Sequence, residues 1–193
     1  MMHKFFYLLL IMACTYSCNL FAQEKFEKES RIKPNDVPVK ALVFIDSLNF
    51  NNKVKWYKEE GLNRKSIEGK FKHNKVRYSV EFDTLGHVED IEIEVNWKDL
   101  RDSLKDSIFF QLRTDCLKHK IVKVQKQYTG SESQLFSILK ADINNLSLTT
   151  KYELIVRCRQ QNELDLFEYL FNDTGKLIST SKIVFKNSSH LEY

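Results

Sequence analysis

The chain has little with which to punctuate itself: two prolines and five glycines in 193 residues. Both prolines, Pro34 and Pro38, fall early, so no proline-rich linker divides it. It lacks a glycine-rich phosphate loop, a Gly-x-Ser-x-Gly elbow and a His-Glu-x-x-His pair, the patterns that announce nucleotide binding, acyl transfer and zinc hydrolysis. The apolar run Phe5 to Ala13 is nine residues long, short of the roughly 20 needed to cross a bilayer. Neither sign of charge prevails, with 30 Lys and Arg against 26 Asp and Glu. That balance gives no electrostatic footprint for nucleic acid.

What is present begins with an export signal. Lys4 supplies a basic start, the apolar run follows, and Leu20-Phe21-Ala22 ahead of Gln23 suits a signal peptidase. The expected organisation is a cleaved signal peptide over residues 1–22, a loose charged lead-in over 23–35, a first unit over 36–97 and a second over 98–193. The competing reading is a lipoprotein with a lipid anchor on Cys14 or Cys18, since Ile11-Met12-Ala13-Cys14 and Thr15-Tyr16-Ser17-Cys18 loosely fit that pattern. Either reading places the chain in the periplasm or at the cell surface, with no transmembrane segment after the signal.

Asp36 and Pro38 predict a helix start, with Val39, Leu42, Val43 and Ile45 or Asp46 tracing its apolar face to about Leu48. Four alternating segments follow, 53–59, 66–72, 76–82 and 88–97, joined by short turns: an antiparallel meander with one wet face. The pattern then restarts. A helix is expected from about Leu100 to His119, then strands over 121–128, 152–160, 163–171 and 177–185. Phe82-Asp83-Thr84-Leu85-Gly86 and Phe171-Asn172-Asp173-Thr174-Gly175 stand at matching corners of the two halves. The fold class expected is therefore α+β, two tandem units, each a helix packed on a four-stranded antiparallel meander. The second unit carries an extra helical insert over 130–149, opened by a Ser131/Gln134 capping-box pattern. Leu164, Leu166 and Leu170 fall on the outer face of their strand, and the insert helix is the expected cover for that apolar patch.

Two cysteines remain beyond the signal. Cys116 continues the row Leu100, Leu104, Ile108, Leu112 on the inner face of a helix, and Cys158 continues Tyr152, Leu154, Val156 on one face of a strand. Both point to the layer between helix and sheet. An oxidising compartment admits a disulfide between them; the alternative is two buried thiols acting as small apolar residues. The spacing is no redox or zinc signature.

One helix is followed by Lys-Val-Lys-Trp-Tyr-Lys-Glu-Glu (53–60), Glu-Gly-Lys-Phe (68–71) and Tyr-Ser-Val-Glu-Phe-Asp-Thr-Leu-Gly-His (78–87). With these, residues 36–95 resemble the PepSY-like domains of exported bacterial proteins. The resemblance is weaker over 98–186. Those domains are related in fold to the tandem-repeat beta-lactamase inhibitor protein, and the resemblance implies a helix on a four-stranded sheet, repeated, with no catalytic residues. The inhibitor's activity does not carry over, because none of its contact residues can be matched here.

The residues themselves offer little chemistry. His73 and His87 fall at turns, His119 at a helix end and His190 in the tail, with no cluster to make a metal site. Asp83 and Asp173 read as turn formers bonding their own backbone rather than as calcium ligands. Glu89, Asp90, Glu92 and Glu94 make an acidic strand whose alternation splits it between faces. The candidate binding surface is the open sheet face, with Lys55, Tyr57, Lys70 and Arg77 from the first half and Lys123 and Arg157 from the second. Lys72 and Arg159 extend it, while Glu68, Glu81, Glu92 and Glu153 interleave. The expected function is an exported, non-catalytic binding protein without a cofactor, which engages an envelope protein through that face or the insert. The alternative is an envelope sensor of a small ligand or metal.

Overall fold

The computed structural model describes residues 23–25, 27–61, 64–142, 147–161 and 163–183; the signal peptide, Cys14 and Cys18 lie outside them. Ten strands alternate with three α-helices: β1 (Gln23–Lys25), β2 (Glu27–Ile32), α1 (Val39–Ser47), β3 (Lys55–Gly61), β4 (Lys65–His73), β5 (Val76–Phe82), β6 (Val88–Glu94), α2 (Asp102–Asp115), β7 (Lys118–Thr129), α3 (Glu132–Leu139), β8 (Thr149–Gln160), β9 (Glu163–Asn172) and β10 (Leu177–Ile183). All ten belong to one sheet, in the order β1-β10-β9-β8-β7-β6-β5-β4-β3-β2. The nine strands β2 to β10 are antiparallel to their neighbours, and β1 adds to β10 in parallel.

This corrects the expectation of two tandem helix-plus-four-strand units. The pairing of Ile91–Glu94 with Gln125–Tyr128 continues the hydrogen-bond ladder from the first meander into the second. Residues 23–35, read as a loose lead-in, contain β2, whose residues pair one for one with β3 from Glu27↔Gly61 to Ile32↔Trp56. Charged residues that alternate along a paired strand look like a solvated segment until the partner strand is known. The insert helix α3, which belongs in sequence to the second half, packs into the core of the first.

The N-terminal segment also fixes the shape of the sheet. One residue separates β1 from β2, yet they pair with β10 and β3, the opposite ends of the antiparallel ladder. A flat sheet of nine strands holds its edges about 40 Å apart, and two chain steps reach only about 7 Å. The sheet therefore coils until the Ile183 end of β10 approaches the Gly61 end of β3. This pairing covers part of both exposed edges, which otherwise invite association with other strands.

All three helices lie on one face of the sheet. There α1 and α3 pack with Trp56, Ile67, Phe71, Val80, Phe82 and Ile91, and α2 packs with Val124, Leu154, Val156, Phe167, Tyr169 and Phe171. The α1 face differs from the one expected. Ala41, Phe44 and Ile45 are buried, whereas Val39 is 74% and Val43 60% exposed. Residues 37–48 are mostly apolar, so periodicity gives their helix no clear phase. The β5–β6 corner packs closely on the start of this helix, where a Cβ on Gly86 would sit 2.9 Å from the Ala41 backbone nitrogen.

Helix α2 ends at Asp115, so His119 lies in β7 opposite Cys158 rather than at a helix end. Trp97 lies in a short 3-10 turn, Trp97–Asp99, and not in a strand. Cys116 and Cys158 form a disulfide, Cα to Cα 5.4 Å, that ties the end of α2 to β8. Ser131 opens α3 with a reciprocal capping box to Gln134. Leu135 and Leu139 of that helix are buried, and Phe136 meets Phe44 edge to face. The insert therefore does not cover Leu164, Leu166 and Leu170, which stay on the opposite face of the sheet.

Candidate functional site

Alternation along each strand sends every second side chain to the face without described helices. Several of its polar side chains are buried although no described helix covers them, which marks it as the concave side of the coiled sheet, and it holds an ionic interior and a basic rim. In the interior Ser66, Glu68, Ser79, Asp90 and Gln125 are buried, unusual for a face that carries no helical layer. The side chains are partnered accordingly. Lys70 bridges Glu68 at 2.8 Å and Glu29 at 3.2 Å. Ser79 donates to Glu68, Gln125 donates to Glu92 at 2.7 Å, and Arg64 joins Glu81 at 3.1 Å to Glu89 at 2.5 Å.

Charge in this interior is unevenly held. Burial resists ionisation of Glu68, but the Lys70 ammonium outweighs it with help from neighbouring donors, and the carboxyl stays below its ordinary value. Lys70 is held above its own ordinary value: burial opposes its charge, and Glu68 and Glu29 more than compensate. At Asp90 and Glu92 the nearby cations, Arg64 and Lys123, do not outweigh burial and the neighbouring acids. Burial, reinforced by Glu81, pushes Asp90 up to about 8. Burial, reinforced by Asp90 and Glu68, pushes Glu92 up to about 8. At neutral pH both hold protons for much of the time.

Carboxylate oxygens of Glu29, Glu59 and Glu68 lie within 4.8 Å of one another, spacing that would suit a cation. The Lys70 ammonium already bridges two of the three, so the charge a metal would supply is built into the chain.

The six candidate binding residues all lie on the concave face but do not form one basic surface. Lys55 and Lys70 are directly opposed across β3 and β4, and the Lys70 ammonium sits 4.9 Å from the centre of the Tyr57 ring. Tyr57 and Lys70 are therefore part of the ionic interior. Arg77 is exposed at the rim and is engaged by Glu94 at 3.1 Å. Lys123 lies opposite Ile155, and Arg157 opposite Lys120 and Leu166.

Sequence reasoning missed the acidic stripe. Asp90, Glu92 and Glu94 share one face by plain alternation, and Glu89, beside the register shift between Glu81 and Phe82, reaches the Arg64 that also holds Glu81. The signal was in the i, i+2 spacing of the three acids. It also missed Lys118 and Lys120, which it placed in a helix end and a connector; in β7 they pair with Arg159 and Arg157.

The histidines have structural partners. His87 lies 2.8 Å from both Asp83 and Lys40. His73 stacks on Phe50, ring centres 3.9 Å apart. On the helical side a groove of about 590 Å³ is lined by Asp106, Ser107, Phe110, Gln111, Gly175, Lys176 and Leu177. No helix among the described residues is long and apolar enough to cross a membrane.

No family model matches the chain, and no curated protein does. Two solved structures are similar in fold. A DUF2874 family protein from Bacteroides uniformis aligns with a TM-score of 0.50 at 10% identity, over 78% of this chain and 93% of its own. A Bacteroides eggerthii protein named as periplasmic aligns with a TM-score of 0.49 at 7% identity, over 76% and 88%. At such identity the first likeness establishes a shared fold and nothing further.

Proposed function

We propose that this chain is an exported, non-catalytic binding protein of the bacterial envelope that engages another protein through the concave face of its sheet. The observation that carries the reading is the contrast between the two faces. The helical face is closed by α1, α2 and α3, whereas the concave face has no described helix over it and exposes Leu164 to 55% beside cationic side chains. A curved sheet presenting aromatic, apolar and arginine side chains has the composition of a binding surface core with a polar rim. Export is read from residues 1–22, and the PepSY-like resemblance of residues 36–95 agrees with it. The ionic groups of the interior are paired with one another, an arrangement that holds a surface in shape and leaves no free nucleophile beside a base.

The test is site-specific photocrosslinking in the native envelope. A photoreactive residue replaces Tyr57 or Leu164 on the concave face, and Val43 or Phe110 on the helical face as controls. The reading expects one protein crosslinked from both concave positions and from neither control. Crosslinks of equal yield from the two faces, or none from the concave positions, would overturn it.

A further inference from the structure

The rim of the concave face at the β8–β9 turn carries a cluster that the interior network does not absorb. Lys118 lies opposite Arg159, and Lys120 opposite Arg157. On the next strand Arg157 faces Leu166, and Arg159 faces Leu164. All four cations are exposed, and none forms an ion pair with a described residue. This differs from Lys70, Arg64 and Arg77 on the same face, each of which has carboxylate partners. The corner is also rigidly mounted. Cys158 lies between the two arginines and is bonded to Cys116, and the next residue, Leu117, donates its amide to the Arg159 carbonyl at 2.9 Å.

We propose that this corner docks an extended acidic segment of a partner protein, one in which carboxylates alternate with apolar residues. The inference rests on the binding reading above and specifies its anchor. Side chains two apart on an extended chain are spaced by about 7 Å, the spacing of Lys118 and Lys120 and of Arg157 and Arg159 along their own strands. Carboxylates at that interval meet two successive rungs of cations, and arginine forks hold them in two-point contact. The residues between those carboxylates point away from the sheet, and the leucines beside the arginines meet the aliphatic stems of the acidic side chains. A mount held by a disulfide loses little freedom on binding. The two rungs of cations repeat at the side-chain interval of an extended chain, a match in spacing that a fluid anionic bilayer does not need; this favours a peptide over a membrane.

The probe is a fluorescent eight-residue peptide of alternating Glu and Val, read by anisotropy against the full exported chain. A Lys/Val peptide and vesicles of phosphatidylglycerol with phosphatidylethanolamine are run beside it. The expected result is saturable binding of the Glu/Val peptide alone. It should weaken at least tenfold in R157E/R159E and in K118E/K120E, weaken with Leu164→Ser, and be unchanged in K72E. Circular dichroism confirms that each variant folds. Absence of saturable binding, equal affinity for R157E/R159E, or binding to the vesicles alone would overturn the inference. If the crosslinked partner of the concave face is retained by R157E/R159E, the acidic-segment inference fails while the binding reading stands. If no partner crosslinks, the binding reading itself fails.

Discussion

Asp83 and Asn172 hold the same turn. The Oδ1 of Asp83 accepts the amides of Leu85 and His87 at 2.8 and 2.9 Å, and the Oδ1 of Asn172 accepts those of Thr174 and Lys176 at 3.0 and 2.8 Å. In both corners the glycine three residues on has a left-handed backbone, φ +88° at Gly86 and +86° at Gly175, and presses against the helix of its own half. The structural counterpart of Asp83 is therefore Asn172 and not Asp173, and what the two share is an accepting oxygen rather than a charge.

That equivalence predicts an asymmetry between substitutions. Asp83→Asn keeps the accepting oxygen and should cost less than about 0.5 kcal/mol, while Asp83→Ala and Asn172→Ala each lose hydrogen bonds worth about 1 kcal/mol apiece. Gly86→Ala should be worse than any of them. A left-handed alanine costs about 1–2 kcal/mol, and its Cβ would meet the Ala41 nitrogen and the Pro38 Cβ, each at 2.9 Å. Urea denaturation of the four variants checks the order; equal losses for Asp83→Asn and Asp83→Ala would show that charge, not geometry, holds the corner.

Much of the strand pattern was legible because period-two alternation survives in Tyr152–Cys158 and Phe167–Phe171, whose inward residues are the buried ones, and in Val76–Phe82, where inward Val80 and Phe82 are buried but outward Ser79 is too. The corners were legible for the same local reason. What alternation cannot convey is which strands meet. Nothing local in Ile91–Glu94 says that it pairs with Gln125–Tyr128, or that β2 borders β3, and those two pairings turn separate units into one sheet. The partners of individual cations on the binding surface were hidden by the same gap. Lys70 reads as a free cation until Glu29, more than forty positions earlier, is placed beside it.

The disulfide should account for a large share of stability. Cys116 and Cys158 are 42 positions apart, and closing a loop of that length is worth about 4 kcal/mol in the chain-entropy account. The C116A/C158A chain should unfold at lower urea than the parent under oxidising conditions. Dithiothreitol should destabilise the parent and leave the variant unchanged. A parent insensitive to the reductant would mean that the bond contributes nothing to the folded state.

The insert helix belongs energetically to the half that it does not follow in sequence. Leu135 is fully buried and Leu139 nearly so, among Phe44, Phe82 and Ile91. Leu135→Ala should cost about 2–5 kcal/mol, and Leu164→Ser, on an exposed position, less than about 0.5 kcal/mol. Hydrogen exchange locates the effect: Leu135→Ala should loosen amides of α1 and β6 before those of α2. Loosening confined to α2 and β9 would show that the insert is not part of the first core.

Asp90 and Glu92 give the chain an unusual dependence on pH. Unfolded, both carboxyls release their protons near pH 4; folded, both are pushed up to about 8, chiefly by burial. Between those values the folded chain holds protons that the unfolded chain has lost, so stability must fall as pH rises. Each proton held in this way costs about 1.4 kcal/mol per pH unit. The contribution is complete below about pH 4 and lost as pH climbs through about 8. Glu68, held below its ordinary value by Lys70, acts in the opposite sense, but its loss falls on the acid side of pH 4.5. The groups that face Asp90 and Glu92 are Glu68 of β4, Glu81 of β5, Lys123 of β7, Glu153 of β8 and Arg64 ahead of β4; the acids sustain the shift and the cations limit it. The melting temperature should therefore decline from pH 5 to pH 8. D90N/E92Q, which cannot ionise at either position, should flatten that decline and exceed the parent in stability at pH 8. Parallel pH profiles for the two proteins would mean that these carboxyls ionise in the folded chain as they do in water, and that the interior of the concave face is wetter than its side-chain packing implies.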